Sequence, residues 1–205
     1  MAYTTNDVKN MMVFISNRVI EIKDELTDID SKLGDGDMGM SMSKGAMAVI
    51  DAVHTAPEDA DLTKIFLLSA SALNKAAPST MGTLLSGALL AVGKSLAGKT
   101  QLEVEDIIKI PTTMADAIAA RGRAKVGDKT ILDAFIPYAQ VLKEVYQEKN
   151  NFNTAKVLAY ESAVQGMEST KGIKAKTGRA SWLGERNMEY PDGGAYMLCK
   201  VTEVL

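Results

Sequence analysis

Apolar residues recur along this chain at steps of three and four. Val8, Met11, Met12, Ile15, Val19, Ile22, Leu26 and Ile29 form one stripe, which predicts a single long first helix that delivers Asp30 at its end. The same spacing predicts further helices over about 38–53, 62–77, 82–97, 103–120, 129–149 and 154–171, and a last one near about 195–205. Strand-like alternation is scarce. An aromatic content of 5% with 12 methionines suits helix packing by adaptable side chains better than a β-sandwich. Short connections make successive helices antiparallel, so the pattern predicts an all-α bundle. A length of 205 residues suffices for one well-buried domain and is short for two, so residues 1–205 are expected to form a single domain.

Where the helical pattern lapses, the residues change character. Leu26–Gly45 reads LTDIDSKLGDGDMGMSMSKG, in which Asp30, Asp35 and Asp37 form a carboxylate cluster and single glycines flank the last two. Gly34 and Gly36 allow positive φ and close backbone approach, so both aspartates can turn toward one point. Such a point suits a hard cation: magnesium is commonly held by a few carboxylates and completes its shell with water and phosphate oxygens. The helix expected after Asp37 would offer free N–H groups to a phosphate. An Asp-Gly-Asp stretch can also be a plain solvated turn. The third aspartate argues against that, because three carboxylates brought together without a cation repel one another. An EF-hand is excluded, since loop position 12 counted from Asp35 is Ala46 and the bidentate glutamate is missing.

Charge and composition narrow the partners. Against 26 acidic residues stand 23 basic ones, a net charge of −3, with no basic block that asks for nucleic acid or an anionic membrane. Cys199 is the one cysteine, which excludes an intramolecular disulfide framework and is expected to be buried and inert. The start MAYTTNDVKN lacks an apolar signal core, and no run approaches the ~18 apolar residues of a membrane span. A cytoplasmic protein is therefore expected. GALLAVGKS at Gly87–Ser95 imitates a phosphate-binding Walker loop, but five residues separate its glycines where four are required, and no strand precedes it. His54, the one histidine, is expected to be a solvated helix-end residue rather than a phosphocarrier.

Four segments together resemble the nucleotide-binding L subunit of dihydroxyacetone kinase: LGDGDMG, PSTMGTLLSG at Pro78–Gly87, RGRAKVGDKTILDAFIP at Arg121–Pro137, and TGRASWLGERNMEYPDGGA at Thr177–Ala195. The resemblance implies eight antiparallel amphipathic helices closed into a barrel, with the nucleotide bound at one end by interhelical loops, among them the Asp loop and the Ser79–Gly82 loop. It implies Asp30, Asp35 and Asp37 as magnesium ligands bridging to the β-phosphate. Met38, Gly39 and Ser41 fall where the family binds the phosphates, and Thr80 and Met81 occupy its next nucleotide-contacting loop. Gly122 and Ile131 match the adenine pocket, Arg179 the phosphate-contacting arginine, and Asp192, Gly193 and Gly194 a loop over the nucleotide. On the residues alone, Gly122 could equally be a helix cap, Ile131 core and Arg179 surface. Subunits of the phosphotransferase-dependent type usually carry histidine and asparagine where this chain has Met38 and Ser41. A methionine side chain donates no hydrogen bond, so backbone amides are expected to carry more of the phosphate binding.

The implied function is phosphoryl transfer through Mg2+-bound ADP or ATP to a small hydroxyketone, as in glycerol metabolism. Asp30, Asp35, Asp37 and Arg179 would be its catalytic residues, supplying charge rather than a nucleophile. A separate K subunit would hold the substrate. A phosphohistidine donor, the phosphotransferase M subunit, would recharge bound ADP, or ATP would exchange as an ordinary substrate; a homodimer is also open. Two other readings stand beside this one: an ATP-dependent kinase subunit for a related ketose, and a non-catalytic nucleotide-sensing module. A fatty-acid kinase type is disfavoured, because its usual Asp-Gly-Asp-Thr-Gly is absent here.

Overall fold

The structure, a computed structural model, describes residues 2–57, 60–178, 181–182, 185 and 188–205. The helical spacing translates into α1 (Thr5–Glu21), α2 (Lys23–Leu33), α3 (Met38–His54), α4 (Leu62–Ala76), α5 (Thr80–Ser95), α6 (Val104–Gly122), α7 (Leu132–Lys149), α8 (Phe152–Glu168) and α9 (Gly193–Thr202). A two-residue ladder is the described strand structure, β1 (Tyr3–Thr4) antiparallel to β2 (Gln101–Leu102). The fold is all-α. Nine helices rather than eight are found among the described residues, because the expected first helix is interrupted at Ile22, where ψ is 12°. The apolar spacing continues through this point in the sequence, with Val8 and Met12 buried before the break and Ile22 and Leu26 buried at and after it, whereas Met11, also placed on the stripe, is 47% exposed. Side-chain periodicity therefore carried no sign of the one-residue change in backbone.

The chain divides into two compact units. One comprises Met1–Glu21 and Met40–Arg121. In it α4 packs on α5 and α1, and Ile65 and Phe66 of α4, Met12 of α1, Val92 of α5 and Ile118 of α6 are buried. Asp61 and Ser79 start α4 and α5 by accepting the N–H groups of Lys64 and Gly82, which satisfies donors a helix end leaves bare. The Walker-like segment lies inside α5, and a Cβ at Gly93 would stand 3.0 Å from that of Phe66, so the glycine permits close packing of α5 on α4. His54 is the exposed last residue of α3.

The other unit comprises Ile22–Gly39 and Gly122–Leu205. Here α7 and α8 pack through small residues: Ala155, Ala159 and Ala163 on α8 are fully buried, and Gly166 lies so close to the Asp133 carbonyl that a Cβ has no room. The last helix, α9, packs on α7, α8 and α2. Between α2 and α9 the Tyr196 hydroxyl donates to Glu25. Cys199 is buried, and burial pushes its thiol up to about 12, which keeps it protonated and unreactive. No described helix is long and apolar enough to cross a membrane.

The α7–α8 contact can be tested directly. Gly166→Ala should destabilise the protein by about 1–3 kcal/mol through overpacking against backbone that cannot retreat, read as a lower denaturant midpoint with the slope unchanged.

Candidate metal and nucleotide site

The Asp loop is assembled by two helix ends. Asp30 lies in the last turn of α2, where its carbonyl accepts the Gly34 N–H at 2.6 Å and its half-buried side chain accepts the Met38 N–H at 3.0 Å. The carboxylate thus closes the loop onto the first residue of α3. Gly36 takes φ 74°, a left-handed turn that glycine adopts without steric cost. Of the two freedoms expected of these glycines, Gly34 uses close approach rather than positive φ. Its backbone is extended at φ −165°, and its contribution is small size, since a Cβ there would stand 3.1 Å from Asp30 Oδ1.

This loop brings one oxygen from each of Asp30, Asp35 and Asp37 within 4.8 Å of the others. Asp35 and Asp37 are exposed. Burial pushes the Asp30 carboxyl above its ordinary range, the Met38 N–H opposes that, and the like charges of Asp35 and Asp37 add to it. The neighbouring charges thus oppose ionisation of Asp30 unless a cation joins them. All the donors are oxygen, which suits Mg2+ or another hard divalent ion and does not suit a thiophilic metal.

Around this cluster the residues predicted to bind phosphate take defined places. Met38 is buried, and its sulfur lies beside Gly193 at the start of α9, where a Cβ would approach it to 3.1 Å. The Asp loop and the Asp192–Gly194 segment are thereby brought together. Gly39 is also buried, pressed onto the Lys23 carbonyl and the Thr27 hydroxyl, where a Cβ has no room. The Met38 amide, expected to help bind phosphate, is used by Asp30 here. Ser41, part-exposed in the first turn of α3, belongs to the unit that also contains exposed Thr80 and half-buried Met81 in the first turn of α5. Arg179 lies outside the described residues.

A second frame surrounds Ile131, Asp192 and their neighbours, and its key residues escaped the sequence reading. Asp133, 1% exposed, accepts the N–H groups of Gly127 at 2.6 Å and Thr130 at 2.7 Å, closing a turn in which Gly127 and Lys129 have φ 89° and 61°. Ile131, 3% exposed, leads from this turn into α7. The buried Lys129 ammonium donates to the carbonyls of Thr170 and Tyr190, each at 2.7 Å. The Thr170 hydroxyl accepts the Asp192 N–H at 2.9 Å, and Asp192 caps α9 by accepting the Ala195 N–H at 2.8 Å. Gly122 ends α6 and the left-handed residue after it is Arg123, at φ 51°. The Gly-Asp-Lys-Thr segment stood out in the sequence, but a lysine gives no local sign that its head will be buried.

Residues 32–205 match the DAK2 domain. The chain belongs to the DAK2 domain family. It is 32% identical over 179 residues to the ADP-binding subunit DhaL of PEP-dependent dihydroxyacetone kinase 1 from Listeria innocua, covering 87% of this chain and 84% of that one. The corresponding DhaL subunit of Escherichia coli is 27% identical, with 88% and 85% covered. A D-erythrulose kinase of Mycolicibacterium smegmatis is 32% identical over 90% of this chain, which spans 32% of that longer protein. Among solved structures, the dihydroxyacetone kinase from C. freundii in complex with AMP-PNP and Mg2+ superposes with a TM-score of 0.72 at 23% identity, over 96% of this chain and 32% of that one. The DAK2-domain chain thus shares the fold of the matching third of that kinase and spans most of the length of the DhaL subunits.

Asp192 generates a pH prediction for this DAK2-domain chain. Burial pushes its carboxyl up to about 7, the Ala195 N–H opposes that, Asp133 adds to it, and Lys129 pulls it down. A carboxyl whose folded value is raised contributes stability that is complete below the unfolded value and is lost as pH rises through the folded one. Compared with Asp192→Asn, the parent protein should lose relative stability between pH values of about 4 and 7 and level off above. Urea midpoints of the two proteins across this range measure it.

Proposed function

We propose that this chain is the ADP- or ATP-binding subunit of a small-hydroxyketone kinase of the dihydroxyacetone type, with Asp30, Asp35 and Asp37 as its Mg2+ ligands. The observation that carries the reading is the convergence of these three carboxylates within 4.8 Å in a chain 32% identical to an ADP-binding DhaL subunit over most of both lengths. A divalent ion held there supplies positive charge to the terminal phosphate oxygens of a nucleotide. Transfer of a phosphoryl group needs charge stabilisation and alignment more than a protein nucleophile, and the chemistry of the trio meets that need. Arg179 adds positive charge at the phosphates. The family resemblance assigns Met38, Gly39, Ser41, Thr80 and Met81 to the phosphates and Gly122, Ile131, Asp192, Gly193 and Gly194 to the rest of the nucleotide. With Met38 packed on Gly193 and its amide engaged by Asp30, the chain relies on other donors for the phosphate oxygens.

The substrate ketose is held by a separate K subunit in this reading, and a phosphohistidine protein, the M subunit, recharges the bound ADP. A second reading is favoured by the similarity to D-erythrulose kinase, in which a domain of this kind is 32% of a longer protein: the ketose is then a four-carbon one and ATP exchanges as a substrate. Cytoplasmic location follows from either reading.

Asp35→Asn should abolish the Mg2+-dependent part of ADP affinity and leave helix content intact; calorimetry showing the parent affinity would refute the ligand assignment. The phosphate source is separable by native mass spectrometry after gel filtration. ADP that survives the column marks a resident cofactor recharged in place, whereas complete loss marks an exchanging nucleotide.

A further inference from the structure

Lysine is among the residues least often taken out of water, yet Lys129 is 2% exposed. Its backbone lies at φ 61°, uncommon for a residue with a Cβ. Burial pulls its ammonium down, while the charges of Asp192 and Asp133 favour the protonated form. The two carbonyls it holds come from distant parts of the sequence: Thr170 follows α8, and Tyr190 stands two residues before Asp192. Because the Thr170 hydroxyl takes the Asp192 N–H, residues 190–192 are gripped at both ends. On the opposite side, Lys129 belongs to the turn closed by Asp133, with Ile131 two residues on.

We propose that Lys129 is a positioning residue for the nucleotide: it clamps the turn carrying Ile131 to the segment carrying Asp192, Gly193 and Gly194, and so sets the spacing of two walls of the nucleotide site. This rests on the nucleotide reading above. The carboxylate trio has its own supports, the Met38 N–H on the Asp30 carboxylate and the Gly34 N–H on the Asp30 carbonyl. Loss of the clamp therefore weakens nucleotide binding while the metal ligands keep their places. Lysine suits the task because one ammonium offers three donors from a single point.

Lys129→Met keeps the length of the stem and removes the donors. Its Mg-ADP affinity by calorimetry should fall about tenfold or more, with Mn2+ affinity, read by paramagnetic resonance without nucleotide, within about twofold of the parent. Thr170→Val, which removes the hydroxyl holding the Asp192 amide, should lose about threefold, and the double variant should lose about as much as Lys129→Met alone, because both act through residues 190–192. Parent-like ADP affinity in folded Lys129→Met overturns the inference and leaves the nucleotide reading intact. Equal loss of Mn2+ and ADP affinity also overturns it, since that outcome marks general destabilisation. Should Lys129→Met not fold, Thr170→Val decides: weakened ADP binding with Mn2+ affinity retained supports the clamp, and unchanged ADP binding overturns it. A parent protein that binds no Mg-ADP removes the nucleotide reading and this inference together.

Discussion

Repulsion among three carboxylates is the constraint on which the rest of this structure turns. Asp30, Asp35 and Asp37 place oxygens within 4.8 Å of one another, an arrangement that the electrostatics of the chain alone disfavours. Local bonding holds it. Asp30 is tied at its carbonyl by Gly34 and at its carboxylate by Met38, and Gly36 reverses the chain so that Asp35 and Asp37 face the same region. Much of the cost of gathering the charges is thus met during folding, and a divalent ion bound as proposed would add attraction without having to order the loop. Preorganisation of this kind raises affinity chiefly by lowering what must be ordered on binding.

Extra weight falls on what braces the loop from behind. Gly39 rests on the Lys23 carbonyl and the Thr27 hydroxyl, and Met38 meets Gly193 at the head of α9. A separate buried polar network holds the segment before α9: Asp192 to Thr170, Thr170 with Tyr190 to Lys129, and the Lys129 turn closed by Asp133. Such a network is expensive to leave half-made, because each buried group keeps its desolvation cost when its partner is lost. The same bonds that add stability therefore specify one arrangement of the loops. The elevated Asp192 carboxyl is a direct consequence of placing acidic groups in this low-dielectric surrounding.

The helices were largely legible because each buries an apolar stripe, and burial of a stripe leaves a period in the sequence. Segments expected at about 38–53, 62–77 and 154–171 are found as Met38–His54, Leu62–Ala76 and Phe152–Glu168. Pro111 and Pro137 lie inside α6 and α7, where local preference alone would have ended a helix and packing overrides it. The interruption at Ile22 was illegible, because Ile22 and Leu26 are buried apolar residues at helical spacing on either reading, and only the backbone angle departs. Gly34 carried a similar ambiguity: a glycine signals either unusual φ or lack of room, and here it is room.

By itself, then, the sequence determined the all-α class, the approximate span of the helices and the identity of the clustered aspartates, since each follows from residues near one another along the chain. Tertiary structure alone decided that the Met38 amide is occupied by Asp30, that the Met38 sulfur rests on Gly193, and that Lys129 is buried between the Thr170 and Tyr190 carbonyls. Apart from the Asp30–Met38 bond, which spans eight positions, these contacts join residues 41, 61 and 155 positions apart, each lysine or methionine being equally plausible on a surface. A buried partner selects between such alternatives, and the partner is known only once the chain has folded.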